Sequence, residues 1–180
     1  LLTPTHVIAE QLSAFQVMKQ VDDRYTGDTS MSNAILNIID RRDRKRVRDL
    51  KMFSLEKDEV EKSLIFFVSP ADVQDTAYMT FDWEDESKED DSWLYLPAMQ
   101  KIKRVASSEE SGKFMGSDFS YADINGLDFE DFNYDFVNES EMVDGHECWV
   151  IRSTPKNDRI IKKTGYTGAT SWIRKDIFVS

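Results

Sequence analysis

Apolar residues follow two different periods along this chain, and the change falls near Gly27. Before it, Thr3-Pro4 reads as an N-cap followed by proline at the first helical position, and no further proline or glycine occurs up to Gly27. The spacing predicts a helix of about five turns. At helical pitch Ile8, Leu12, Ala14, Phe15, Met18, Val21 and Tyr25 fall on one broad arc. An arc wider than a coiled-coil seam suits a helix lying in a trough.

After Gly27 the period shifts toward two. Residues 31–39, 46–55, 60–69, 76–84, 92–96 and 100–106 read as successive strands, and 135–144, 147–154 and 170–179 as three more. Polar turns separate them: Asp40-Arg41-Arg42-Asp43, Glu56-Lys57-Asp58-Glu59, Ser69-Pro70-Ala71-Asp72, the acidic run 84–92, Pro97-Ala98 and Asp144-Gly145. Connections this short exclude parallel crossovers, so the strands form an antiparallel meander. Several carry apolar residues on both faces, as in Tyr78-Met79-Thr80-Phe81. The expected fold class is α+β: one long curved antiparallel sheet, an incomplete β-barrel, wrapped over the N-terminal helix and able to leave an apolar hollow.

Residues 107–134 break the meander. The stretch begins serine-rich and then carries Phe114, Met115, Phe119, Tyr121, Ile124, Leu127, Phe129, Phe132 and Tyr134. A connection of this length is functional or disordered, and the aromatics predict that it docks as a short helical lid or plug. Residues 1–180 are expected to form a single domain.

Charge narrows the partners. With a formal charge of −11 the chain repels phosphate backbones, which argues against nucleic acid. No apolar run reaches membrane-span length, and the lone Cys148 excludes an internal disulfide. Arg41, Arg42, Arg44, Lys45, Arg46 and Arg48 form one basic block, a candidate docking surface centred on Arg41, Arg42, Arg44, Arg46 and Arg48; its simpler use is to keep a sheet edge from aggregating.

Three stretches, "SPADVQDTAYMTFDW" (69–83), "WLYLPAMQKIKRV" (93–105) and "GSDFSYADI" (116–124), give the sequence a resemblance to the bacterial outer-membrane lipoprotein-sorting protein family, the LolA-like group. The resemblance implies a periplasmic protein in which an incomplete barrel encloses an apolar cavity for acyl chains. It implies lipid or an acylated lipoprotein as partner, with a membrane-associated donor or acceptor protein. It further implies an arginine tied to opening and closing, for which Arg104 is the candidate, and a closing C-terminal element beyond "SWIRKDIFVS". Expected lining residues are Ile8, Phe15 and Met18 from the helix with Phe66, Met79, Phe81 and Leu94 from the sheet. The lid or plug would use Phe114, Gly116, Ser117, Asp118, Phe119 and Tyr121, with Gly116 turning the chain and Ser117 or Asp118 capping the next helical turn.

The reactive-looking groups carry little. Ser117-Asp118 lacks a G-x-S-x-G elbow, and the only histidines are His6 and His146. His146 and Cys148 would share a strand face, but a buried structural cysteine is the simpler reading. "DWEDESKEDD" holds seven carboxylates in ten residues without the glycine and distal glutamate of a calcium loop, so it reads as a solvated hairpin tip. No enzyme activity, cofactor or metal is expected. The function expected is a carrier or binding module for a hydrophobic ligand; the alternative is a protein-binding or sensor module whose cavity is filled by its own side chains.

Overall fold

The structure is a computed structural model that describes residues 11–85 and 87–180. The chain forms two compact units. Among the described residues one comprises 26–127 with 161–165 and the other 11–25, 128–160 and 166–180.

The first unit is built on a six-stranded antiparallel sheet in sequence order: β1 (Thr29–Ile39), β2 (Lys45–Glu56), β3 (Val60–Ser69), β4 (Ala77–Trp83), β5 (Asp91–Leu96) and β6 (Lys101–Val105). β1 and β6 are its edges, so the sheet stays open. The turns that the sequence marks are those the backbone uses. The Asp40 carboxylate accepts from the Arg42 and Arg44 amides, and Asp58 and Glu59 take left-handed φ of 56° and 62° between β2 and β3.

One face of this sheet is covered. Leu50, Ile65, Phe67, Tyr78, Leu94 and Val105 project from it and pack with Val73 and with Phe114 of the following segment. That segment contains short 3₁₀ turns and the helix α2 (Tyr121–Asn125). The side-chain and backbone groups of Ser120 and Asp123 satisfy one another in a capping box that starts α2.

The second unit packs the helix α1 (Ala14–Asp22) on a three-stranded sheet of β7 (Phe132–Val143), β8 (His146–Pro155) and β9 (Ala169–Arg174). Asp144-Gly145, with φ of 48° and 82°, makes the β7–β8 hairpin as the sequence predicts. Burial of Ala14 and Val17 against Ile151 and Ile173, flanked by Met18 and Val21, holds α1 in place.

Three expectations change here. The strands divide into sheets of six and three within an α+β fold. α1 begins at Ala14 because Ser13 and Gln16 form a capping box, and residues 11–13 are not helical, so no continuous helix runs from Pro4; Thr3, Pro4 and Ile8 lie outside the described residues. The buried stripe is centred on Val17, which the arc omitted, and Tyr25 is 75% exposed. The helix α3 (Asp158–Thr164) was not anticipated, although its signals are in the sequence: the Asn157 carboxamide oxygen accepts from the Arg159 and Ile160 amides, and Gly165 ends the helix at φ 82°.

Candidate functional site: the covered face and its plug

Strand alternation and register arrange the covered face of the six-stranded sheet in rows. One row is hydroxylic across five strands: Ser30 pairs with Ser54, Ser54 with Ser63, Ser63 with Thr80, and Thr80 with Ser92. The next row turns apolar, running Ser32, Met52, Ile65, Tyr78 and Leu94. Beyond it Leu50 pairs with Phe67 in the core. On β2 the sequence of side chains along this face is Arg46, Arg48, Leu50, Met52, Ser54, Glu56, so polarity runs from basic through apolar to acidic.

The plug sits on the apolar rows. Phe114 is 1% exposed, with ring centroids 6.1 Å from Phe67, 5.3 Å from Tyr78 and 5.5 Å from Tyr121. Residues 112–121 close on themselves: the Phe114 amide donates to the Phe119 carbonyl at 2.7 Å and the Tyr121 amide to the Gly112 carbonyl at 3.0 Å. Met115 and Gly116, at φ 49° and 73°, reverse the chain there.

Two polar ties fix the plug to the sheet. Arg48, 7% exposed, donates from Nη1 to the Met115 carbonyl at 2.5 Å and stacks over the Phe67 ring at 5.8 Å. Its burial lowers the guanidinium pKa, the mark of a cation taken out of water. At the other tie the Tyr78 hydroxyl donates to Asn125 Oδ1 at 2.6 Å while Asn125 Nδ2 donates to Ser92 Oγ at 3.3 Å. Burial pushes the Tyr78 phenol up to about 12, against the lowering effect of its Ser92 and Asn125 hydrogen bonds.

Between the hydroxyl row and α2 lies a crevice of about 120 Å³, lined by Ser30, Ser32, Ser54, Ser63 and Thr80 with Met52, Phe53, Leu64, Ile65, Tyr78 and Ile124. Small side chains leave this space: four adjacent strands, β1 to β4, each place a serine or threonine where a core would carry leucine or valine. A larger concavity of about 460 Å³ lies on the three-stranded sheet among Val143, His146, Cys148, Thr170, Trp172 and Arg174. It is more open to solvent, and its guanidinium is already held by Asp176 at 2.7 Å. The crevice, continuous with an apolar interior, is the better candidate.

The residues singled out from sequence separate accordingly. Phe114 and Tyr121 pack inward, Gly116 turns the chain, and Ser117 is buried with Oγ donating to the Phe114 carbonyl at 2.8 Å. Phe119 is 52% exposed and Asp118 pairs with Lys113 at 2.7 Å on the surface, so neither packs inward; Ser120, not Ser117 or Asp118, caps the helical turn. Of the expected lining residues Leu94 stands on the covered face. Phe66, Met79 and Phe81 stand on the opposite face, Phe66 and Phe81 half-buried and Met79 37% exposed, because one residue of register inverts a strand's faces. Phe15 and Met18 belong to the other unit; Phe15, 43% exposed, meets Phe129 at 4.9 Å and Met18 flanks the core there.

Arg41, Arg42, Arg44 and Arg46 are exposed as a docking surface requires, Arg44 holding Asp40 at 2.7 Å, while Arg48 leaves that group for the interior. Arg104 pairs with Asp91 at 2.6 Å on the open face, so the arginine that touches the plug is Arg48. Cys148 is buried with Sγ 3.7 Å from the His146 carbonyl, and the His146 side chain is exposed. Among the described residues no His, Cys, Asp and Glu side chains converge as metal ligands would.

The fold, an open antiparallel meander in an α+β chain, matches that of LolA-like proteins. A LolA superfamily protein from Nitrosomonas europaea matches at a TM-score of 0.59 and 16% identity over 93% of this chain and 69% of that one, a likeness of fold alone. A domain described as an outer membrane lipoprotein-sorting protein from Vibrio parahaemolyticus matches at 0.77, with 28% identity over 90% of this chain and 66% of its own. A DUF1329 family protein from Desulfovibrio piger matches at 0.81, with 32% identity over 92% of this chain and 69% of its own. A family model described as "Uncharacterized protein" matches residues 59–180. The chain belongs to the DUF1329 family and shares the LolA-like fold, and it spans about two thirds of the length of the solved structures it matches. No curated protein matches it.

Proposed function

We propose that this protein is a periplasmic carrier or binding module that holds a hydrophobic or amphiphilic ligand, a lipid or a lipoprotein acyl chain, between the covered face of the six-stranded sheet and its plug. The carrying observation is the pairing of an open crevice with an apolar interior that a self-closed plug occupies. The likeness to lipoprotein-sorting domains supports the same reading.

Magnitudes say how such uptake would work. At about 0.8 kcal/mol per buried methylene, micromolar affinity needs on the order of ten methylenes. A crevice of about 120 Å³ holds the equivalent of roughly four waters at ~30 Å³ each, far short of that. The plug must therefore lift, and Phe114 is the side chain that the ligand replaces. Arg48, tied to the Met115 carbonyl, is the latch. Binding and release suffice for this role; no turnover is assigned.

The small volume also favours a second reading, in which the cavity stays filled by its own side chains and the exposed Arg41, Arg42, Arg44 and Arg46 dock an acidic partner. Native mass spectrometry after detergent-free purification separates them. The carrier reading expects adducts of lipid mass, or uptake of the neutral fluorophore N-phenylnaphthylamine. A protein that takes up neither, while Arg44→Glu/Arg46→Glu abolishes capture of an acidic partner, would establish the second.

A further inference from the structure

The row beyond the hydroxyls is acidic. On the covered face Glu56 pairs with Glu61 and Glu61 with Asp82, one register step outward from Ser54, Ser63 and Thr80, and the Glu56 amide donates to the carbonyl of Asp28 on the edge. Glu56, Glu61 and Asp82 are exposed. These carboxylates stand one to a strand and do not converge on a point. They create a band of negative potential rather than a seat for one ion.

Basic groups on this face lie elsewhere. Arg48 is three register steps from Ser54 along β2, behind Phe67 and Phe114 and tied to Met115. Lys103 pairs with Glu109 at 2.9 Å in the Leu94 row. A molecule with its chain among Met52, Ile65 and Ile124 therefore places its polar end on the hydroxyl row and its outermost atoms beside the acidic one.

We propose that the crevice selects amphiphiles whose polar end is cationic, an amine or quaternary ammonium, over anionic ones of the same chain length. This rests on the carrier reading and names the ligand class of the same site. Apolar burial sets the common affinity, the hydroxyl oxygens accept from the N–H groups of an ammonium head and turn their dipoles toward a quaternary one, and the acidic row discriminates.

The test is displacement of N-phenylnaphthylamine by dodecylamine, dodecyl maltoside and dodecanoate, each below its micellar concentration. At low ionic strength dodecylamine should displace the probe at about tenfold lower concentration than dodecanoate, the difference shrinking toward twofold in roughly 0.5 M salt. Glu56→Gln/Glu61→Gln should lose that preference and keep the dodecyl maltoside affinity; Glu130→Gln/Asp135→Asn, which removes the same charge from the other unit, should keep both. If none of the three compounds binds, the carrier reading falls and takes this one with it. If all bind but dodecanoate binds as tightly as dodecylamine, or the preference survives Glu56→Gln/Glu61→Gln, or the remote pair abolishes it equally, the selectivity proposal alone is overturned.

Discussion

Two neighbouring residues of the plug, Asp118 and Ser120, show how little residue type says without partners. Both are good caps by type. Asp118 spends its carboxylate on Lys113 in full solvent, which holds its pKa below the usual carboxylate range, whereas Ser120 accepts from the Asp123 amide at 3.0 Å. Ser120→Ala should cost about 1 kcal/mol by chemical denaturation, and Asp118→Ala should leave the midpoint unchanged. Arg48 makes the same point more strongly. It reads as one member of a basic block, yet its alternation on β2 turns it inward onto Met115. Arg48→Met keeps the packing on Phe67 and removes the charged hydrogen bond, so it should cost about 1.5–3 kcal/mol. Hydrogen exchange of the amides at 114–117 should accelerate more than exchange in β3 and β4.

At the scale of elements, strand register does what no single strand can. Ser30, Ser54, Ser63, Thr80 and Ser92 are scattered over more than sixty positions of sequence, and pairing sets them side by side. Ser63→Leu should fill the crevice: uptake of N-phenylnaphthylamine should fall by about tenfold or more, with the melting temperature unchanged or raised, since the added methylenes occupy open space rather than a packed core. The same register explains why Phe66, Met79 and Phe81 missed the covered face although their strands were located nearly to the residue. Periodicity fixes that two faces exist; the identity of the covered one depends on where the plug docks. α1 is a parallel case, its arc broadly correct and its buried stripe centred on Val17 because that is the face packed on Ile151 and Ile173.

For the molecule as a whole, alkaline pH interrogates both units. Tyr78 in one and Tyr134 in the other are each pushed by burial up to about 12, and the Tyr134 hydroxyl donates to the Phe129 carbonyl at 3.0 Å. The native state holds each phenolic proton more tightly than the unfolded chain, whose tyrosines titrate near 10. That stability is complete below pH 10 and is lost as pH rises through the native value, less of it at Tyr134, where solvent reaches about half of the group. Denaturant midpoints measured from pH 9 to 12 should fall in this window, and Tyr78→Phe should flatten the fall in the first unit while leaving that of the second. A profile that is flat to pH 12 in the native protein would contradict it.

Local patterning was enough for the strands, their turns and their antiparallel order, because alternation and turn chemistry act over a few residues: Asp144-Gly145, Asp58-Glu59 and the Asp40 loop each specify their own bend. It also placed Phe114 and Tyr121 in a docked plug, since aromatics in a long connection have to be buried somewhere. Long-range pairing and docking set which face the plug covers, that Arg48 rather than Arg104 meets it, that Asn125 bridges Tyr78 and Ser92, and that the strands divide into sheets of six and three. Those outcomes depend on pairing and docking between residues far apart in the chain. Which side chains meet across them is set by the register and packing of the folded whole, which local preference leaves open.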